Sequence, residues 1–261
     1  LRSRWRGARR LLRRTPPLVQ LGVWLVAGVA LALAVNGIYQ LVRKPTELFF
    51  PVSGVLYKTP AESWRDYGAL FRRYATAGIP PELLAALAQV EASGNPLART
   101  YWRWSWKLRP FEVYRPASSA VGMYQITDST FAEARHYCVH DHRVVHEGRW
   151  DDWHACWFNA LYFRVVPAHA VELTAAYLDV KVAEILAAER PAGPSRAQRR
   201  HLAAAVHLCG VGAAQAYAHR GFAFSAGERC GDHDPRAYLA RVDAMEAVFA
   251  RLAADAAAEY H

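Results

Sequence analysis

Pro80–Gly94, PPELLAALAQVEASG, is the stretch on which the reading of this chain turns. Two prolines open it, Gly94-Asn95-Pro96 closes it, and no breaker interrupts it, so it predicts a helix. Leu84, Leu87 and Glu91 recur at spacings of three and four and therefore share one face. Glu91 continues an apolar stripe one turn before the helix ends. Burial disfavours the charged form of a carboxyl group and should raise its pKa. That suits a general acid, which must hold a proton near neutral pH. A Glu at a stripe edge also commonly points to solvent or caps a loop, and position alone leaves both readings open.

Outward from this helix the pattern stays helical. Thr59-Pro60-Ala61-Glu62 is a capping box with proline at the first helical position, and it opens a helix running to about Thr76. Downstream, Tyr101–Tyr114 is rich in aromatic residues and lacks helical periodicity. Ser118–Ile126 reads as a loop or short hairpin. Thr130-Phe131-Ala132-Glu133 reads as a second capping box starting a short helix to about Cys138, and His140–His154 as a polar loop. Helices are expected over roughly 155–165, 168–189, 195–208 and 211–219. Asp234-Pro235 then caps a last helix. The expectation is one mainly α domain over 59–261, reached through an extended stalk at 43–58.

The charge is not spread over that domain. The chain of 261 residues has 32 Lys and Arg against 23 Asp and Glu, a net +9. Nine of those bases (seven arginines from Arg2 to Arg14, then Arg43 and Lys44) fall in residues 1–46, which hold no acid. Residues 47–261 are thus formally neutral, which disfavours a phosphate-binding domain and a nucleic-acid partner. Behind the basic arm, Thr15–Val42 carries no charge and contains the apolar run Leu18–Val35. About 20 such residues cross a bilayer as a helix. We therefore expect a cytoplasmic arm at 1–17 and an anchor at 18–42, with the N-terminus inside because the bases precede it. Ala32-Leu33-Ala34 keeps a cleaved signal peptide open as the alternative. Either way, residues 47 onward lie outside the cytoplasm.

All four cysteines, Cys138, Cys156, Cys209 and Cys230, fall in that exported part. Four cysteines allow three pairings. Cys138–Cys156 and Cys209–Cys230 each enclose a short, loop-like stretch and are the pairs expected; four reduced thiols are the alternative.

Taken together, Glu91-Ala92-Ser93-Gly94-Asn95-Pro96 and, about 25 residues on, Gly122-Met123-Tyr124-Gln125-Ile126-Thr127 with Thr130-Phe131 resemble the soluble lytic transglycosylase (SLT) domain. The similarity extends from about Tyr67 to about Phe249. Val206-His207-Leu208-Cys209-Gly210-Val211-Gly212 approximates a further family motif, and Tyr238-x-x-x-Val242 its last helix. The resemblance implies a lysozyme-like, α-rich fold with a cleft for peptidoglycan glycan strands. It implies one catalytic Glu, matched by Glu91, that protonates the oxygen between N-acetylmuramic acid and N-acetylglucosamine. The same Glu then takes a proton from the C6 hydroxyl, closing a 1,6-anhydro ring. By the same resemblance Met123, Tyr124 and Gln125 line the cleft. Gly122 lets the backbone approach the sugar, Ser93 is the nearest hydroxyl, and no cofactor is required. Core packing is the alternative for Met123 and Tyr124.

The residues are compatible with one-carboxylate chemistry. Between Ala92 and Ile126 the other acid is Glu112, whereas ordinary glycosidases flank the bond with two carboxylates. Asp128 or a distant acid could still fold into the cleft. The sequence departs from the family at His207-Leu208, where a Tyr-Asn pair is expected and the Tyr bonds the catalytic carboxyl. A neutral His207 could replace that donor; a protonated one would lower the pKa of Glu91. Trp102, Trp104 and Trp106 alternate with polar residues and suit either stacking on sugar rings or packing under a loop. His140, His142, His146, His154 and His233 match no zinc spacing, so no metal is expected.

The leading expectation is a single-pass inner-membrane lytic transglycosylase facing the periplasm, with glycan strands and membrane lipid as partners. A non-catalytic peptidoglycan-binding subunit of an envelope-spanning secretion or conjugation machine, and a hydrolytic lysozyme, are the alternatives.

Overall fold

A helical stretch that is apolar on every side must be buried on every side, and the middle of the helix over Pro81–Ala92 is. Leu83, Leu84, Ala85, Ala86, Leu87 and Ala88 are at most 1% exposed, and each of the three leucines contributes roughly 1.5–3 kcal/mol of burial. The computed structural model describes residues 15–105, 111–149, 151–152 and 155–258. The arginines through Arg14, Trp106 and His154 lie outside the described residues.

The chain is mainly helical and divides into two compact units: residues 1–48 with 100–117, and residues 49–99 with 118–261.

The first unit is built on α1 (Pro17–Arg43), a 27-residue helix long and apolar enough to cross a membrane. Against it lies a two-stranded hairpin of β1 (Trp102–Trp104) and β2 (Tyr114–Pro116), with Trp102 opposite Pro116 and Trp104 opposite Tyr114. The aromatic segment is thus a hairpin, as the period-two alternation of rings and polar residues favours.

The second unit begins with α2 (Pro60–Tyr74), capped by the expected Thr59–Glu62 box, and α3 (Pro81–Ala92). Then come α4 (Asp128–Ala134), β3 (Tyr137–His140), β4 (Arg143–His146), α5 (Pro167–Glu189), α6 (Arg196–Cys209), α7 (Val211–His219) and α8 (Pro235–Ala258). α3 packs against α2 and α8. α5, the other deeply buried helix, packs against α2, α6, α7 and β3.

Four local expectations change. The expected extended stalk contains short helical turns at Pro45–Phe49, Phe50–Ser53 and Gly54–Leu56. α4 starts one turn early, because Thr127 rather than Thr130 is its cap: the Thr127 hydroxyl accepts from the Thr130 N–H at 3.3 Å. The polar loop expected at His140–His154 is, up to His146, part of the β3–β4 hairpin, whose Val139 and Val144 pair across the strands. The helix expected over 155–165 is one 3-10 turn, Trp157–Leu161.

Both expected disulfides are present, Cys138–Cys156 and Cys209–Cys230, with Cα atoms 5.4 and 5.0 Å apart. The first ties the β3–β4 hairpin to the segment before α5. The second ties the end of α6 to the loop before α8.

Candidate active site around Glu91

The residues after Glu91 fix where α3 stops. Ser93 takes the left-handed conformation (φ 48°), and its carbonyl accepts from the Lys58 N–H at 2.8 Å. Gly94 follows at φ 64°, where a side chain would strike the Ser63 hydroxyl. Asn95 is fully buried: its amide donates to the Ser53 carbonyl at 2.6 Å and its side-chain oxygen accepts from the Leu97 N–H at 2.9 Å. This stretch is a helix stop clamped from three sides, and it holds Glu91 at the end of a buried helix.

There the Glu91 side chain retains 17% exposure. Its Oε1 accepts a hydrogen bond from the Tyr238 hydroxyl of α8 at 2.6 Å and lies 3.7 Å from Nε2 of His207 on α6. Burial, reinforced by the charge of Glu91, pushes the Tyr238 phenol well above its ordinary pKa, so it remains a donor. Burial also pushes the His207 imidazole below its ordinary value, against the opposing pull of Glu91 and of a hydrogen bond to the Tyr124 backbone. The imidazole beside Glu91 is therefore neutral near pH 7.

The turn Val121–Ile126 lies beside His207. Val121 and Ile126 exchange backbone hydrogen bonds at 3.2 and 3.1 Å. Gly122 sits at φ 81° with its N–H donating to the Ala98 carbonyl, and a Cβ there would collide with the Arg164 carbonyl. The space over Gly122 is thus filled by protein, not left for sugar. Met123 and Tyr124 are likewise fully buried. The Tyr124 hydroxyl donates to the Leu84 carbonyl at 3.1 Å, and its ring meets His207 edge-on with centroids 6.3 Å apart. Met123 and Tyr124 are therefore core and not cleft lining, because the turn carries their side chains inward, and Gly122 is buried beside them. Gln125, the next residue, is half-buried. Its amide donates to the Gly122 carbonyl at 2.9 Å, and with His207, Thr127, Thr130, Thr174 and Tyr177 it lines a small cavity of about 50 Å³.

Both acids raised as second carboxylates are engaged. Asp128 pairs with Arg164 at 2.8 Å, and Glu112 with Arg43 and Arg115 at 3.3 and 3.6 Å. Trp102 and Trp104 belong to the first unit, where the Trp102 indole donates to Glu47 at 2.8 Å. His142 is bonded to the Ala75 carbonyl at 2.8 Å, and His146 packs edge-on against Tyr137.

Tyr238 is the partner that sequence reasoning missed. The signal was a phenol one turn before Val242 on the apolar face of the last helix, where its hydroxyl needs an acceptor.

Residues 69–145 match the family described as Transglycosylase SLT domain, a family of lytic transglycosylases that act on peptidoglycan. Glu91 and Gln125 lie inside the matched stretch, His207 and Tyr238 beyond it. No curated protein and no solved structure matches the chain. The half-open carboxylate at the end of α3 sits in the matched stretch, and the chain carries a lysozyme-like, mainly helical SLT domain.

Proposed function

We propose that this chain is a lytic transglycosylase that cleaves the β-1,4 bond between N-acetylmuramic acid and N-acetylglucosamine in peptidoglycan, leaving a 1,6-anhydro end. The observation that carries the reading is the Glu91 carboxyl, part-open at the end of a buried helix, with a phenol hydrogen-bonded to one of its oxygens.

Tyr238 and His207 both address Oε1, so Oε2 is the oxygen assigned to proton exchange with the glycan. Glu91 first gives its proton to the glycosidic oxygen as the bond breaks. As a carboxylate it then takes the C6 hydroxyl proton, and that oxygen closes on the anomeric carbon. Protons balance over the cycle, so the same residue ends protonated again. Tyr238, locked as a donor, stabilises the carboxylate formed between the two steps. His207, its imidazole held below its ordinary pKa by burial, adds no positive charge beside the carboxyl near neutral pH. Gln125 and the hydroxyls beside His207 are assigned to the acetamido and hydroxyl groups of the sugars.

We further assign α1 as a single-pass anchor with the N-terminus in the cytoplasm and the SLT domain in the periplasm. Its length and composition support this, together with the arginines that precede it.

The test is digestion of purified sacculi by the wild type and by Glu91→Gln, with products resolved by mass spectrometry. The wild type is expected to release anhydro-ended fragments and the variant none, with its fold intact. Reducing ends would establish a lysozyme instead. Binding without soluble products at any pH would establish the scaffold.

A further inference from the structure

The first unit carries a surface that the catalytic reading does not use. Asn36 and Gln40, one turn apart on α1, are 4% and 5% exposed although nearly every apolar residue around them on that helix is exposed. The hairpin covers them. The Asn36 amide donates to the Tyr114 carbonyl at 2.6 Å and the Gln40 amide to the Phe111 carbonyl at 2.7 Å. The Tyr39 and Phe111 rings pack with centroids 5.5 Å apart. The two bases at the helix end are matched by acids of the same unit: Arg43 by Glu112 at 3.3 Å and Lys44 by Glu47 at 3.2 Å. The hairpin is therefore fixed to one level along the helix.

That level has a physical meaning if α1 spans a bilayer, on which this inference rests. At 1.5 Å per residue, Asn36 lies about 27 Å and Gln40 about 33 Å from Leu18, where the apolar run begins. The hydrocarbon core is about 30 Å thick. The two amides thus straddle the depth at which hydrocarbon gives way to headgroups, and the hairpin sits beside them. What it leaves exposed are Tyr101, Trp104 (57%), Phe111 and Val113, with Arg103 on the opposite face of β1. Tyr101 and Trp104, rings with one polar edge, fit the interfacial layer. Trp102 is no sugar platform, being half-buried with its indole bonded to Glu47, and Trp104 packs against Tyr114 with centroids 4.8 Å apart.

We propose that the β1–β2 pair, with Tyr101 and Phe111 beside it, is a membrane-interface collar: its exposed aromatic side chains sit in the headgroup layer of the bilayer that α1 crosses. It anchors the depth and rotation of that helix and does not bind glycan.

Full-length protein reconstituted in phosphatidylcholine–phosphatidylglycerol vesicles tests this, using lipids brominated either near the carbonyl or deep in the chain. In Trp24→Phe, tryptophan emission is expected to be quenched more by the shallow bromine than by the deep one. Adding Trp104→Phe is expected to remove about half of that shallow quenching. Headgroup-borne diazirine label on Tyr101 and Phe111 gives the same answer without substitution. Equal shallow quenching in the two variants, with both residues unlabelled, overturns the collar while leaving the anchor standing. Absence of deep quenching of Trp24 in the wild type overturns the membrane span itself, and the collar with it. A several-fold loss of sacculus binding in Trp104→Ala, without lipid quenching, overturns the collar in favour of glycan.

Discussion

Two helices of this chain carry polar side chains near their C-terminal ends and treat them in opposite ways. On α1, Asn36 and Gln40 are sealed under a hairpin, each amide bonded to a backbone carbonyl. On α3, Glu91 meets a phenol and an imidazole on one oxygen and keeps 17% exposure. The first arrangement satisfies a donor and closes over it, which fixes one element against another. The second holds a proton-exchanging group in place yet leaves part of it open. Neighbouring backbone serves structure, whereas neighbouring side chains with an opening serve chemistry.

The largest effect is expected at the open end. Glu91→Gln removes the exchangeable proton while keeping shape and the Tyr238 contact, so anhydro-product formation should fall at least 10²- to 10⁴-fold, the usual worth of a positioned acid–base group. Circular dichroism should show an unchanged fold, and full activity would end the comparison.

Tyr238→Phe should cost less. A hydrogen bond to a charged group is worth about 1.5–3 kcal/mol, so kcat on sacculi should drop roughly ten- to hundredfold while KM holds. A change in KM alone would make Tyr238 a packing residue.

The sealed end responds differently. Asn36→Leu with Gln40→Leu removes two neutral hydrogen bonds worth about 1 kcal/mol each. Opening of the β1–β2 hairpin should become roughly thirtyfold more frequent, read as hydrogen exchange of its amides. Catalytic rate on soluble glycan fragments should hold.

The smallest effect is a pH slope. The His207 imidazole is held below its ordinary pKa by burial. The unfolded chain therefore takes up that proton first as pH falls below about 6.5, and the fold loses stability from there down through the folded pKa. Thermal unfolding across this range should show a weaker slope for His207→Gln than for the wild type. An identical slope would place the titration elsewhere.

How much was legible follows from what sets each feature. The α3 stripe, the Thr59 cap and the limits of α5–α7 were readable because spacing and caps are local. Gly122, Met123 and Tyr124 were misplaced because a motif gives neighbours in sequence, and only the path of the turn decides which side is buried. The β3–β4 hairpin was missed because Tyr137–His146 mixes histidines with valines, and pairing across the turn outweighs its polarity. Tyr238 escaped because it meets Glu91 across 147 residues of chain.

By itself the sequence determined an apolar helix behind a basic arm, a neutral helical domain, two close cysteine pairs and a carboxylate on a buried stripe. Each rests on composition or on spacings within one element. The tertiary structure alone decided that Tyr238 joins His207 at that carboxylate. It also decided that the aromatic segment clasps Asn36 and Gln40 of α1. Both rest on contacts between residues far apart in the chain, and no local period encodes which distant group will meet which.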